Sequence, residues 1–151
     1  MKYFTLLTLL FLQVTISAQK SDKESVQECI ETFFNGFHQQ DSTIVKQTVW
    51  EGIVLQTIAT DSVGNNVVDT EDFSAFIKSI VGIPKTTRFQ EVIKGFTIQI
   101  DGPMANAWTP YEFRVNDAFH HCGVNSFQLV KQGQEWKIVY LIDTRRKTGC
   151  D

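Results

Sequence analysis

Apolar positions in the first part of the chain recur with the period of an α-helix. Between Ser21 and Gln40 they are spaced three or four residues apart, which places them on one helix face. Ser21 followed three residues later by Glu24 is the pattern of a capping box at the helix start. Ser25 followed by Glu28 offers the same pattern one turn later. The apolar positions of this predicted helix are Val26, Ile30, Phe33, Phe34 and Phe37.

The next segment combines a second, short helix with a β-hairpin. Asp41 is placed to cap this helix, which is predicted to end near Trp50. Residues 52–60 are rich in β-branched side chains and predict a strand. Residues 61–66 (DSVGNN) have the composition of a turn, so the strand is expected to return immediately as a hairpin.

A third helix is predicted after the hairpin, with Thr70 or Asp69 as its cap. Gly82 and Pro84 are expected to end it, because glycine favours helix ends and proline cannot continue a helix. Its buried stripe is predicted to consist of Phe73, Phe76, Ile77 and Ile80.

The chain after Arg88 is predicted to be strand throughout, interrupted only by turns. Turn signals lie at residues 101–102 (Asp-Gly), 116–117 (Asn-Asp) and 133–134 (Gly-Gln), and Asp-Gly is the strongest of these hairpin signals. Helices followed by a strand meander predict an α+β fold. We expect a strongly curved antiparallel sheet with about three helices packed on its concave face.

Side chains of the last two hairpins divide between the two faces of the predicted sheet, because neighbouring residues of a strand point to opposite faces. If residues 133–134 form a two-residue turn, Phe127 faces Tyr140, and this more aromatic face is expected to be concave. Glu112 and Asp143 then fall on the other face, although a β-bulge would reverse the assignment. The expected concave face of the final hairpin consists of Asn125, Phe127, Leu129, Trp136, Ile138, Tyr140 and Ile142.

Aromatic side chains and a few polar groups converge on the expected concave face, which is the composition of a small-molecule pocket. The alternative is a filled core, in which the tyrosine hydroxyls and Asn125 satisfy one another. The residues predicted to line the pocket are Phe33, Phe34, Phe37, Trp50, Tyr111, Phe113, His121, Asn125, Phe127 and Tyr140.

Two segments resemble a group of exported proteins named putative lumazine-binding or SnoaL-like: residues 108–131 (WTPYEFRVNDAFHHCGVNSFQLVK) and residues 136–147 (WKIVYLIDTRRK). With three helices followed by long, bent strands, the chain resembles the cone-shaped nuclear-transport-factor-2-like (NTF2-like) superfamily. The resemblance implies one domain over residues 19–151, an open cone that can hold a ligand, and a homodimer formed through the sheet. It does not imply one activity, since the superfamily includes isomerases, dehydratases, cyclases, ligand carriers and dimerisation domains.

The N-terminal segment, residues 1–18, has the composition of a secretory signal peptide. Lys2 precedes an apolar run over residues 4–12, and small residues follow up to Ala18. The run is shorter than the ~20 residues that a membrane span needs. We therefore expect cleavage after Ala18 or Ser17 and export to the periplasm or the medium, with an uncleaved anchor as the alternative.

Charge argues against nucleic acid as a partner. The mature chain would carry 13 basic and 17 acidic residues, with no basic stripe. Its only basic run, residues 145–147 (Arg-Arg-Lys), is most simply a solvated strand end. The expected partner is a small hydrophobic or aromatic molecule, and no cofactor is predicted.

Three adjacent residues, His120, His121 and Cys122, suggest a metal site at first sight. On a regular strand, however, His120 and Cys122 share one face and His121 points to the other. A structural zinc site also needs four ligands, usually as paired close spacings, and no second pair occurs in the sequence. We therefore expect no metal site here, and we expect the two imidazoles to diverge.

The cysteines of an exported chain can form a disulfide. In the predicted register Cys122 lies opposite Arg145, from which the tail can fold back to bring Cys150 near. A Cys122–Cys150 bridge would close a loop of about 28 residues and contribute on the order of 3 kcal/mol of stability. Cys29 is expected to be a small buried hydrophobe, and three free thiols are the alternative.

An enzyme of the dehydratase or isomerase kind would need an inward base and a donor to an oxyanion. His121 is the inward base candidate and Tyr111 the donor candidate, but no paired carboxylate is evident apart from Asp41 at the exit of the first helix. We therefore expect a ligand-binding protein without catalysis. An enzyme that uses His121 and Tyr111 is one alternative, and a closed homodimerisation domain is the other.

Overall fold

The computed structural model describes residues 20–150, and the predicted signal peptide lies outside them. The described part of the chain contains three helices: α1 (Asp22–Gln39), α2 (Ser42–Thr48) and α3 (Phe73–Gly82). The capping box at the start of α1 is confirmed, since the Glu24 backbone amide donates to Ser21 Oγ and the Ser21 amide donates to the Glu24 carboxylate. None of the helices within residues 20–150 is long and apolar enough to cross a membrane.

Two helix boundaries differ from the prediction because the residues expected there belong to neighbouring strands. The second helix stops at Thr48, so Trp50 belongs to a strand. The third helix is capped by Asp72, whose carboxylate accepts from the Ala75 amide, because Asp69 and Thr70 still pair within the hairpin.

Seven strands form one mixed sheet in the spatial order β2-β1-β7-β6-β5-β3, with β4 also paired to β5. The predicted turn residues Gly102, Asn116, Asp117 and Gly133 adopt positive φ angles and join consecutive strands. The strand pairs are antiparallel, as expected, except that β1 runs parallel to β7. The strands are β1 (Val49–Thr60), β2 (Asn66–Glu71), β3 (Phe89–Ile93), β4 (Thr97–Asp101), β5 (Met104–Val115), β6 (Ala118–Gln132) and β7 (Glu135–Thr144).

A β-bulge in β7 changes which side chains face the helices. Ile138 pairs with Leu129 and Tyr140 with Gln128, so that Val139 is an extra residue in β7. Beyond this bulge the alternation is reversed relative to the prediction. The expected pairing of Phe127 with Tyr140 is wrong, since Phe127 pairs with Leu141.

The reversal moves four side chains to the face opposite the expected one. Leu141 and Asp143 face the helices, whereas Tyr140 and Ile142 lie on the outer face of the sheet. The sequence-based assignment of Asp143 to the outer face is therefore wrong, and a bulge is the cause.

The core lies between α1 and the inner face of the sheet. Phe33 and Phe127 are almost completely buried, with ring centroids 6.4 Å apart in an edge-to-face arrangement. Burying each such ring contributes about 1.5–3 kcal/mol relative to leaving it exposed. The predicted apolar stripe of α1 is thus confirmed as the face that holds the helix on the sheet.

A disulfide between Cys122 and Cys150 ties the C-terminal tail to the outer face of β6. Cys122 forms an isolated bridge with Arg146, rather than lying opposite Arg145, because the bulge advances the register by one residue. Cys29 is a buried free thiol, as predicted, and donates to the Trp136 carbonyl at 3.1 Å.

Gly123 permits a close approach between β6 and the end of β7. A Cβ atom at this position would lie 1.8 Å from the Thr144 carbonyl oxygen and 2.8 Å from Cε1 of Tyr111. No rotamer change removes a clash with backbone, so only glycine fits between these two residues.

Reducing or removing the disulfide is expected to lower the free energy of unfolding, because the bridge no longer restricts the unfolded chain. Cys150→Ser should lower the free energy of unfolding by on the order of 3 kcal/mol, measured by urea denaturation. A reducing agent should lower the wild-type value by a similar amount and leave the variant unchanged. Equal wild-type stability with and without reductant would contradict the bridge.

Gly123→Ala is expected to destabilise the fold because its Cβ would overlap backbone. We expect a loss of about 3 kcal/mol or more in the free energy of unfolding. Gly82→Ala is the matched control, since its Cβ would meet no atom within 4 Å. That control should keep stability or raise it by up to about 1 kcal/mol, because alanine favours a helix more than glycine does. Similar losses in both variants would show that the close approach is not the cause.

Candidate binding pocket

A pocket of about 80 Å³ lies between α1, α3 and the inner face of the sheet. Its apolar wall is formed mainly by phenylalanine rings from the two helices. Residues from β1 and β7 complete this wall. The apolar side chains are Phe33, Phe34, Phe37, Phe76, Leu55 and Leu141.

The phenyl rings hold one another in fixed orientations. Phe76 of α3 stacks on Phe33 and Phe37 of α1, with centroid distances of 6.2 and 6.1 Å. Phe34 meets Phe33 and Phe37 edge to face, at 5.4 and 6.3 Å. Aromatic pairs in these geometries stabilise each other by about 0.5–1.5 kcal/mol beyond burial. The wall is therefore a preformed aromatic surface.

Asp143 enters the polar side of the pocket because of the bulge in β7. Its Oδ2 accepts hydrogen bonds from Arg145 Nε at 2.9 Å and from the Tyr111 hydroxyl at 3.1 Å. The Tyr111 hydroxyl also lies 3.0 Å from the Thr144 carbonyl oxygen. Burial, with the nearby Asp143 charge, raises the pKa of Tyr111, so its hydroxyl stays protonated. Arg145 is anchored further by a bond from Nη2 to Thr57 Oγ1 at 3.1 Å.

Glu91 is the second carboxyl group of the pocket, contributed by β3. Its Oε1 accepts a hydrogen bond from Asn125 Nδ2 at 2.6 Å. Burial raises the pKa of Glu91 to about 8, an effect that the Asn125 hydrogen bond opposes and the Asp143 charge reinforces. At neutral pH the Glu91 carboxyl is therefore largely protonated in the empty pocket.

The backbone around Glu91 is fixed by His38 of α1. The Glu91 amide donates to His38 Nε2 at 2.9 Å, so this nitrogen carries no proton. Burial lowers the pKa of His38, which keeps the ring neutral. Asn125 Nδ2 also lies 3.3 Å from Thr109 Oγ1, which positions the amide beside Glu91.

Of the residues predicted to line the pocket, Phe33, Phe34, Phe37 and Asn125 do so. Phe127 is fully buried behind them, with its ring 6.0 Å from that of Phe34. It supports the wall without reaching the cavity.

Trp50 and Tyr140 do not reach the pocket. Trp50 is 40% exposed at the start of β1. Tyr140 lies on the outer face, where its hydroxyl donates to Gln56 Oε1 at 2.6 Å. The expected inward position of Tyr140 is wrong because of the extra residue Val139.

His121 and Phe113 lie inward but beside the pocket, with rings stacked at 4.9 Å. A bulge where β5 meets β6 leaves His120 unpaired with β5 and brings its Nδ1 within 2.8 Å of His121 Nδ1. The expectation that the two imidazoles diverge is therefore wrong. Burial, with the nearby Arg145 charge, lowers the pKa of His121 to about 4.

The histidines do not form a centre with Cys122, which is held in the disulfide on the outer face. Within residues 20–150, no three side chains of the metal-binding types are grouped closely enough to hold an ion. His121 also makes no hydrogen bond to a carboxylate in that part of the chain; its ring contacts are with Tyr111, Phe113 and His120.

Sequence reasoning missed Glu91, Arg145 and Phe76 as pocket residues. Glu91 lies two residues from both Phe89 and Ile93, and such residues of a strand share one face. Its place on the inner face could therefore have been predicted. Phe76 was predicted to be buried, but the meeting of α3 with α1 could not be derived from its own helix.

No family model matches the chain, and no curated protein matches it in sequence. Solved structures do match. An NTF2-like protein of unknown function from Shewanella baltica superposes with a TM-score of 0.61 at 16% identity, covering 84% of this chain and 95% of that one.

Two further structures carry names that refer to enzymes. A putative dehydratase of the NTF2-like family from Streptomyces avermitilis has a TM-score of 0.63 at 12% identity, covering 83% of this chain and 96% of that one. A putative ketosteroid isomerase from Shewanella frigidimarina has a TM-score of 0.59 at 14% identity, covering 79% and 94%. These identities establish shared architecture rather than shared chemistry. The chain has the α+β cone of the NTF2-like fold.

Proposed function

We propose that the protein binds a small molecule with an apolar body in the cone pocket and does not transform it. The observation that supports this most is a cavity walled by four phenylalanine rings, with a few polar groups on its opposite side. Concave, mainly apolar sites with a small number of oriented polar groups are typical of ligand binding. A filled association domain would have no such space.

The size of the pocket limits the ligand. A volume of about 80 Å³ is well below the ~300–1,000 Å³ that drug-sized ligands occupy. We expect an aliphatic or aromatic molecule of about five to eight non-hydrogen atoms, or a larger one that leaves part of its body in solvent. Large polycyclic substrates do not fit this space.

Catalysis by His121 and Tyr111 is less well supported. Neither residue lines the pocket, and the Tyr111 hydroxyl is already directed to Asp143 and Thr144. A histidine whose pKa is about 4 is a weak base at neutral pH. These contacts favour a binding role over the dehydratase or isomerase role.

We also propose export and self-association. The Cys122–Cys150 bridge is typical of proteins from oxidising compartments, which supports secretion or a periplasmic location. The outer face of the sheet carries the exposed apolar side chains of Met104 and Trp108 on β5. A second copy of the chain is the partner we propose for this face, with a homodimer as the assembly.

Ligand binding is tested by filling the cavity from one strand position. Leu141→Phe places extra volume inside the pocket, whereas Ile142→Phe adds the same ring on the outer face. We expect isobutanol and benzyl alcohol at millimolar concentration to raise the Tm of the wild type and of Ile142→Phe, but not of Leu141→Phe. Mass spectrometry of protein purified from its native compartment should recover a small bound molecule.

The ligand proposal fails under either of two results. One is the absence of any Tm increase in the wild type with both alcohols. The other is an equal increase in Leu141→Phe, which would place binding outside the cavity.

The pH dependence of stability tests the protonation of Glu91. The unfolded chain releases this proton near pH 4.5 and the folded protein near pH 8, so this group's stabilising contribution is present below pH 4.5 and is lost as the pH rises to about 8. Glu91→Gln removes that loss. Between pH 5 and 8, its free energy of unfolding should rise relative to the wild type by at most about 1.4 kcal/mol per pH unit.

Glu112→Gln is the matched control on the outer face of β5. Lys94 and Arg114 pair with Glu112 and lower its pKa, so this variant should lose stability relative to the wild type above pH 4.5. A stability difference between Glu91→Gln and the wild type that does not change with pH would contradict the raised pKa of Glu91.

A further inference from the structure

We propose that the ligand of this pocket is a small organic cation, an apolar body that carries a primary ammonium or amidinium group held by Glu91 and the phenyl rings. This inference rests on the proposed binding function and adds the charge of the ligand to it. It follows from the hydrogen-bond partners of the two pocket carboxyl groups and from the aromatic wall.

No cationic side chain within residues 20–150 forms an ion pair with the carboxyl group of Glu91. Its Oε1 accepts from the Asn125 amide, and its Oε2 has no hydrogen-bond partner within residues 20–150. Glu91 is half-buried, and its carboxyl is costly to ionise because one neutral donor replaces only part of the lost hydration, while the Arg145 charge offsets the effect of burial only in part. A cation bound in the pocket would supply both a donor to Oε2 and the missing charge.

Asp143 differs from Glu91 because a cationic side chain in the same pocket pairs with its carboxylate. Asp143 has Arg145 and the Tyr111 hydroxyl as donors at 2.9 and 3.1 Å. Arg145 forms its side-chain hydrogen bonds with Asp143 and Thr57, and its charge lowers the pKa of Glu91 only as a minor effect beside burial. Of the two carboxyl groups, that of Glu91 is therefore the one without an ion-pair partner in the described part of the chain.

The aromatic wall suits the same ligand. Cations are attracted to the faces of phenyl rings within about 6 Å, by ~0.5–2 kcal/mol depending on desolvation. Phe33, Phe34, Phe37 and Phe76 all line the cavity opposite the polar groups. An anion would instead meet the negative faces of these rings and the acidic groups, and its only cation would be the already paired Arg145.

The groups around Glu91 set how binding depends on pH. An ammonium ligand favours the ionised carboxyl, so binding below pH 8 displaces the Glu91 proton and affinity should increase with pH up to about 8. The elements packed against this site contribute several neighbouring side chains that can carry charge, whereas α3 and β1 line it only with uncharged side chains. The chargeable groups are His38 on α1, Glu71 on β2, Tyr111 on β5, His121 on β6, Asp143 on β7, and Arg145 just after β7.

Three probes that share one branched four-carbon skeleton differ in charge: isobutylamine, isobutanol and isobutyrate. Their dissociation constants would be measured by NMR chemical-shift titration at pH 7 with the full folded chain. We expect isobutylammonium to bind the wild type at least about tenfold more tightly than isobutanol, and isobutyrate to bind more weakly than both. Glu91→Gln should weaken isobutylammonium about tenfold and change isobutanol binding by less than about twofold.

Glu112→Gln, on the outer face, is the control and should bind all three probes like the wild type. A second measurement follows the wild-type affinity for isobutylammonium from pH 6 to 8, where the amine stays protonated. It should increase several-fold per pH unit, by about tenfold at most, and be flat in Glu91→Gln.

The outcomes distinguish this inference from the function on which it rests. If isobutanol binds as tightly as isobutylammonium, or if Glu91→Gln binds the amine unchanged, the cationic ligand is wrong and the apolar pocket stands. If none of the probes binds, both proposals fail.

Discussion

The pocket depends on one extra residue in the last strand. Without the bulge at Val139, strict alternation would direct Tyr140 inward and Asp143 to solvent. The bulge exchanges them, so that a carboxylate stands where a phenol ring would fill the cavity. The bulge also places Leu141 beside Phe127 in the core. This apolar contact stabilises the register in which Asp143 faces inward.

Helix α1 fixes the apolar side of the pocket, across from Asp143. Its phenyl rings are fixed against the sheet by Phe127 and against α3 by Phe76, so they cannot collapse onto the polar groups. His38, near the end of the same helix, holds the backbone of Glu91. One helix thereby sets both the apolar wall and the position of the acidic group, and the low polarity of the wall is what raises the pKa of Glu91.

Much of this arrangement could be predicted from local patterns, and the remainder required tertiary contacts. The helical stripe that contains Phe33 follows from a period that needs only its own segment. The cysteine bridge was within reach because the hairpin turn fixed the register to within one residue. The inward position of Asp143 was not, since a bulge forms where strand curvature and core packing favour it, and the sequence around Val139 carries no mark of it. Glu91 was visible beside Phe89 in alternation, but an acidic residue on a core face contradicts the usual polarity rule.

The parallel pairing of β1 with β7 has a consequence for how the chain reaches this state. Leu55 must meet Leu141 across most of the sequence, so β7 closes the sheet only after the last strand has been synthesised. Contacts between such distant segments are slow to form, because the entropy of a long loop is lost before they stabilise anything. Until then the aromatic side of α1 lacks its full cover. A polypeptide whose synthesis has not yet reached β7 is therefore expected to expose this apolar side of α1, and exposed apolar surface favours aggregation.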